Sequence, residues 1–407
     1  MHFAFSVMLS SGNPDDLEYV KFLQMIADSG QTRLPDNPNA APCSVGIQRA
    51  CMVHYLYFLN PKVHVDPFLA TRLMMLYTGT CGPSDRLLLQ VFHTMDTIMN
   101  FSDAVKIALY SFTYEPDMHM NFCTQGVEGL KILLSGKTFG ISIKHMFPES
   151  FDYAPADAKS IFAYMQYCNT SACTTSPYAV YDPLFMLPVL MDMTSRKLVD
   201  IKVLTENHCI GYVIMCLGFG GSVYEMARRT LVQLGALFEG SRYKERDMIR
   251  LLLYNLHYMI EDLEISRASS PGDDATSKQI FPRIIATVYA SLIQVLANPG
   301  HFLYELAIRY VTEAPVMKIP SLGQVEIPLY RLLLPSSNVD TYARATNWML
   351  NVLVMALKAK EDATAYERRY VFEIVQTLVS NAYVADSTKK LVKELLDQAR
   401  NILAMSR

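Results

Sequence analysis

The sequence predicts an all-α protein built from stacked helix pairs, and three observations carry that prediction. Helix-start and helix-stop chemistry recurs along the chain. The segments between these signals are apolar on more than one face, as helices buried between neighbours are. No stretch alternates apolar and polar residues with the period of a strand. Paired helices of this length fit an irregular α-solenoid of HEAT or armadillo type, with repeats too degenerate to assign a period.

The pattern is plainest between Ile280 and Ser380. Pro282 sits where a first helical turn tolerates a missing N–H, an apolar run follows from Ile284 to Leu296, and Asn298-Pro299-Gly300 ends it. A second helix is expected over His301–Val311, and a short one over Leu329–Leu334. Asp340 is placed to cap a long helix from Thr341 to about Lys360 that carries the only tryptophan, Trp348. Trp348, Met349, Leu350, Leu353 and Val354 read as core. A last helix of this stretch is expected over Tyr366–Val379.

The rest of the chain repeats this grammar. Asn13-Pro14-Asp15-Asp16, Asp66-Pro67, Ser84-Asp85 and Ser102-Asp103 each open a helix of three or four turns, and a further helix is expected near Val45–Leu59. Glycines at 126, 129, 136 and 140 interrupt the periodicity between Tyr114 and Tyr153, which stays unassigned. Asp182-Pro183 starts a helix with Pro188 inside it, and Leu198–Leu217 forms one or two helices ended by Gly218-Phe219-Gly220-Gly221. Ser222 and Glu225 have capping-box spacing and open a helix to Phe238. Arg242–Ile265 is a long helix, and Asp386-Ser387 starts Thr388–Met405.

Composition narrows the function classes. With 407 residues, 51% apolar, the chain can bury a large core, and the one polar loop, residues 267–279, is too short to separate domains. Residues 1–177 form a helical N-terminal part and 178–407 a C-terminal helical-repeat domain. The formal net charge of −3 excludes a uniformly basic nucleic-acid-binding surface, so any such contact must be local. All eight cysteines precede residue 217 and none forms a C-x-x-C pair, which fits a reducing compartment. Phe3–Leu9 lacks the preceding positive charge of a secretory signal, and the longest apolar run, Cys209–Phe219, is too short to span a bilayer.

Few residues look reactive. Gly218–Ser222 matches no phosphate loop, nucleophile elbow or dinucleotide fingerprint and reads as a helix-to-helix turn. His208-Cys209 supplies the residue types of a thiolate pair, but neighbours on a helix face different ways. Cys168 and Cys173 would hold a metal only with ligands from elsewhere, such as His119 or His145. No catalytic, cofactor-binding or metal-binding residue is assigned. Arg242, Arg246 and Arg250 recur every fourth residue, with Arg228 and Arg229 in the preceding helix. They are either a solvated face balanced by Glu245 and Asp247 or a ridge contacting RNA phosphates. Three such contacts to single-stranded RNA imply a salt slope near −2, hence about 20-fold weaker binding between about 50 and 200 mM salt.

A set of strings occurs in a specific order: Tyr181-Asp182-Pro183-Leu184-Phe185-Met186-Leu187-Pro188, Phe281-Pro282-Arg283-Ile284-Ile285-Ala286, Asn298-Pro299-Gly300-His301-Phe302-Leu303-Tyr304, Ile327-Pro328-Leu329-Tyr330, Trp348-Met349-Leu350 and Tyr366-Glu367-Arg368-Arg369-Tyr370-Val371-Phe372-Glu373. Together they resemble the C-terminal region of the Urb-type nucleolar pre-ribosomal-associated protein family. The resemblance covers about Tyr178–Val384. It implies a non-enzymatic helical-repeat scaffold of the nucleolus, acting early in large (60S) ribosomal subunit assembly. The partners it implies are pre-ribosomal RNA, a DEAD-box helicase and other early assembly factors, with no cofactor, membrane or small-molecule substrate. An alternative from composition alone is a helical-repeat adaptor for protein partners with no link to ribosome assembly.

Overall fold

A computed structural model describes residues 79–82, 85, 88, 89, 91, 134–145, 180–195, 197–219, 221–268, 281–313, 328–333, 339–380 and 384–405. Among these the architecture is all-α. The helices are α1 (Gly136–His145), α2 (Pro183–Ser195), α3 (Ile201–Glu206), α4 (Cys209–Cys216), α5 (Gly221–Glu239), α6 (Arg246–Ala268), α7 (Arg283–Leu296), α8 (Tyr304–Glu313), α9 (Val339–Ala356), α10 (Lys360–Glu367), α11 (Val371–Ser380) and α12 (Asp386–Met405). Short 3-10 turns occupy Leu217–Phe219 and Pro328–Leu333. The chain divides into two compact units, Met1–Val189 and Leu190–Arg407. The helices expected to open at Asn13, Val45, Asp66 and Ser102 lie outside the described residues.

In the first unit an isolated antiparallel bridge joins Thr80 and Tyr181. It has a polar anchor: the Asp85 carboxylate accepts from the Thr80 amide at 2.8 Å and its hydroxyl at 2.6 Å. Ser142 of α1 is fully buried because its oxygen is used twice, accepting from the Tyr181 amide at 2.9 Å and donating to the Thr138 carbonyl at 2.7 Å. Gly79 has φ +73° and a Cβ there would collide with the Phe185 ring, so only glycine meets both demands.

In the second unit α7 is the hub. It packs on α3, α4, α6, α8 and α9, and all its residues except Gln294 are buried. Its sequence is mostly apolar, with one polar stripe of Arg283, Thr287, Ser291 and Gln294, and the buried Thr287 hydroxyl is satisfied by donating to the Arg283 carbonyl at 2.8 Å. Helix α4 is likewise buried along its whole length and makes the most extensive packing on α7. The one charged residue of α7, Arg283, crosses to Asp362 of α10 with Nη1 to Oδ2 at 2.7 Å, and both side chains are buried. The same carboxylate oxygen accepts the amides of Lys358 and Ala359 at 3.1 and 2.9 Å. Burial pushes the Asp362 carboxyl up, against the pull of Arg283, and lowers the neighbouring Lys358 ammonium to about 8. Arg283 also packs tightly on Gly218, where an added Cβ would meet its Cγ at 2.8 Å.

Several expected boundaries move. The helix expected over Thr341–Lys360 begins at Val339 and ends at Ala356, because Asp362 captures the amides at 358 and 359 and starts α10 instead. The helix expected over Tyr366–Val379 is two, broken where Tyr370 adopts φ +55°. Leu198–Leu217 splits at His208, with φ +62°. The helix after Gly300 starts at Tyr304, with the Leu303 amide donating to His301 Nδ1 at 3.2 Å. Met349, Leu350 and Leu353 are buried as expected, whereas Trp348 and Val354 are only half-buried. Tyr366 and Gln398 donate to the Leu353 and Leu357 carbonyls, tying α10 and α12 to the end of α9.

Replacing Arg283 with Met strands a buried carboxylate and is expected to cost about 3–5 kcal/mol in urea unfolding followed by circular dichroism. The double variant Arg283→Met/Asp362→Asn should recover most of that loss, since Asn still accepts the two amides. Single variants within about 1 kcal/mol of the parent would show that the pair does not hold α7 to α10.

Candidate interaction surface

Helices α5 and α6 form an antiparallel hairpin that carries all five candidate arginines. Gly240 and Ser241 stop α5, the Ser241 hydroxyl accepts the Tyr243 amide at 2.9 Å, and α6 begins at Arg246. Arg242 therefore lies in the turn, and the fourfold spacing does not make one helical ridge. Arg246 folds back to donate to the Ser241 carbonyl and lies 3.3 Å from Asp247. Arg250 pairs with Glu239 at 3.6 Å, and Arg228 with Glu225 at 3.4 Å and Glu264 at 3.6 Å. These pairs are partly exposed and contribute little to stability. Arg229 and Arg242 are exposed and have no ion pair or hydrogen bond among the described residues. They are the two cations of the set open to an incoming phosphate.

The hairpin also forms a groove of about 560 Å³ that the sequence did not reveal. Val232, Gly235 and Ala236 of α5 face Tyr254, His257 and Ile260 of α6 across it. Val232 is 54% exposed, Tyr254 67% and its neighbour Tyr258 50%. Isolated large apolar residues on a surface are ordinary, but here Val232 and Tyr254 line one trough, with Tyr258 outside it. A Cβ at Gly235 would meet nothing within 4 Å. A mid-helix glycine weakens α5 by about 1 kcal/mol relative to alanine, and packing within the chain does not call for it. An isolated glycine inside a helical run was the one sequence signal for this site.

The reactive-looking residues have structural roles. His208 is the left-handed residue before α4, and Cys209 is 1% exposed with its thiol pushed far up by burial. That raises the cost of a thiolate, the opposite of an activated nucleophile. Leu217–Phe219 is a 3-10 turn after α4, and α5 starts at Gly221 with φ +56°, one residue before Ser222. Cys168, Cys173 and His119 lie outside the described residues, and no three metal-binding side chains cluster among those described. No described helix is long and apolar enough to cross a membrane.

The family profile of nucleolar pre-ribosomal-associated protein 1 matches residues 210–407, from α4 through every later helix. Over this region the chain is similar to that family. Nucleolar pre-ribosomal-associated protein 1 of Saccharomyces cerevisiae is 20% identical over 396 residues, covering 83% of this chain. The chain spans 22% of that relative. No solved structure matches. The family region thus contains the buried α4–α7 packing, the Arg283–Asp362 pair and the α5–α6 hairpin together.

Buried Cys209 should resist iodoacetamide in the native protein even at about pH 9, where an ordinary thiol is largely ionised, and should label fully in denaturant. Mass spectrometry of the Cys209 peptide reads this directly. Rapid native labelling would restore the thiolate reading.

Proposed function

We propose that the chain is a non-enzymatic scaffold in early large-subunit ribosome biogenesis, working in the nucleolus. The observation that carries this reading is the family match over residues 210–407. The name of the yeast relative states a nucleolar, pre-ribosome-associated protein, and this chain takes the same setting on the proposal. Residues 178–407 act as a helical-repeat region of irregular HEAT or armadillo type. Supporting this arrangement, α3 to α8 each pack on the next helix in order, as do α10 to α12. Its partners are pre-rRNA and early assembly factors, a DEAD-box helicase among them. Within the arginine set, Arg229 and Arg242 make the primary phosphate contacts, and Arg228, Arg246 and Arg250 contribute only by exchanging their carboxylate partners.

Tagging the protein in its source cells, purifying it at moderate salt and probing for large-subunit pre-rRNA before and after RNase tests the reading. Early precursors should be enriched, and part of the protein set should be lost on RNase treatment. With purified protein and single-stranded RNA, replacing Arg229 and Arg242 by Ser should flatten the salt slope by about 1.4. Protein partners retained through RNase with no precursor RNA would instead support an adaptor unconnected to ribosome assembly.

A further inference from the structure

We infer that Arg344 and Phe302, where the turn between α7 and α8 meets α9, form a second RNA site that takes one unpaired base and its phosphate from a single strand. This rests on the reading that the chain holds precursor RNA, and deepens it by placing a base contact away from the α5–α6 hairpin.

Geometry selects a flat ring. The Arg344 guanidinium lies over the Phe302 ring, 4.1 Å from its centroid, and Phe302 is itself in tilted contact with His301, their centroids 4.6 Å apart. Arg344 is exposed, so the guanidinium is covered by Phe302 on one side and open to water on the other. A planar cation laid on an aromatic ring is the kind of surface on which a splayed-out base stacks. Arg344 also makes no ion pair or hydrogen bond among the described residues, which leaves its edge donors to a phosphate oxygen.

Charge selects an anion. Burial and the Arg344 guanidinium together hold the His301 imidazole below its ordinary range, so the field at this corner is positive. His301 Nδ1 accepts the Leu303 amide at 3.2 Å, so the ring proton sits on Nε2 and is a further donor. The acid nearest His301 in sequence, Glu305, is exposed in the first turn of α8 and pairs with neither His301 nor Arg344. Unlike Arg228, Arg246 and Arg250, Arg344 has no carboxylate to leave before it meets a phosphate. An acidic peptide would use the charge without the flat face, and that difference separates it from RNA.

The corner has its own reporter. Trp348, the only tryptophan of the chain, follows Arg344 by four residues on the same face of α9 and is half-buried.

The test follows Trp348 fluorescence of the purified full chain as an oligouridine of about 10 nucleotides is added. The emission should be quenched as the site fills, and an oligoglutamate of about 10 residues should bind at least about tenfold more weakly. Arg344→Ser should abolish the quench at concentrations that saturate the parent. Its thermal midpoint should stay within about 4 °C of the parent, since an exposed cation–π contact is weak. Arg344→Lys keeps the charge and loses the plane, and should weaken binding about tenfold. Lys202→Ser, which removes an exposed cation on α3, should be quenched as the parent is. Unchanged emission in the parent, parent affinity in Arg344→Lys, or equal binding of the oligoglutamate would each overturn the proposal. Failure of the scaffold reading shows separately, as a tagged chain that brings down no precursor RNA although the purified chain is still quenched.

Discussion

Helix α7 is buried on nearly every side, and the rest of the second unit is arranged by what that burial demands. An apolar helix in this position needs neighbours all round, and α3, α4, α6, α8 and α9 supply them. Its single charge, Arg283, cannot stay buried without a partner, so the turn between α9 and α10 brings Asp362 to within 2.7 Å. That one carboxylate also takes the two amides that would otherwise continue α9, so the same residue pairs the arginine and ends a helix. Gly218 is small because Arg283 passes over it, which links the α4–α5 turn to the same contact.

This arrangement also bears on where open surface is found among the described residues. With the centre closed by α4 and α7, polar and chemically open positions move to peripheral helices. The α5–α6 hairpin is one such place: α6 packs on α5, α7 and α8, buries Ile249, Leu252 and Leu256, and leaves Tyr254 and Tyr258 exposed. Its arginines look in sequence like a single basic stripe, yet three of the five are matched to acids, Arg228 and Arg250 across the hairpin and Arg246 to its neighbour Asp247. What remains is a mixed surface, with Arg229 and Arg242 exposed and a groove beside them whose lining balances Glu239 and Asp247 against Arg228 and Arg250.

The all-α class and the existence of most helices in the C-terminal half were legible in the sequence, because local chemistry decides them. Asp182 caps α2 by accepting the Leu184 amide at 2.9 Å, Pro282 precedes α7, and Asp386 opens α12, all at or beside the expected positions. The breaks at Lys358 and Tyr370 were not legible, and the sequence allowed a second helix within Leu198–Leu217 without placing the break at His208. Two of them place a bulky side chain in the left-handed region, which is tolerated only when surrounding packing over-determines it. The third depends on Asp362, whose role is set by an arginine 79 residues earlier. Arg242 was misplaced for a similar reason: a period of four is compatible with a helix, but the turn at Gly240–Glu245 intervenes. Of the site, the arginines were visible as residue types and their pairing was not, since Glu239 and Glu264 face them only after the hairpin closes. The family resemblance, by contrast, was readable from ordered strings, and the profile match over residues 210–407 includes most of them.

The central claim is that this chain works on large-subunit precursors. Ultraviolet cross-linking of the tagged protein in growing cells, followed by sequencing of the attached RNA, tests it most directly. The account predicts reads concentrated in large-subunit precursor rRNA, well above an untagged control. Reads at background, or spread over messenger RNA with no precursor enrichment, would contradict it.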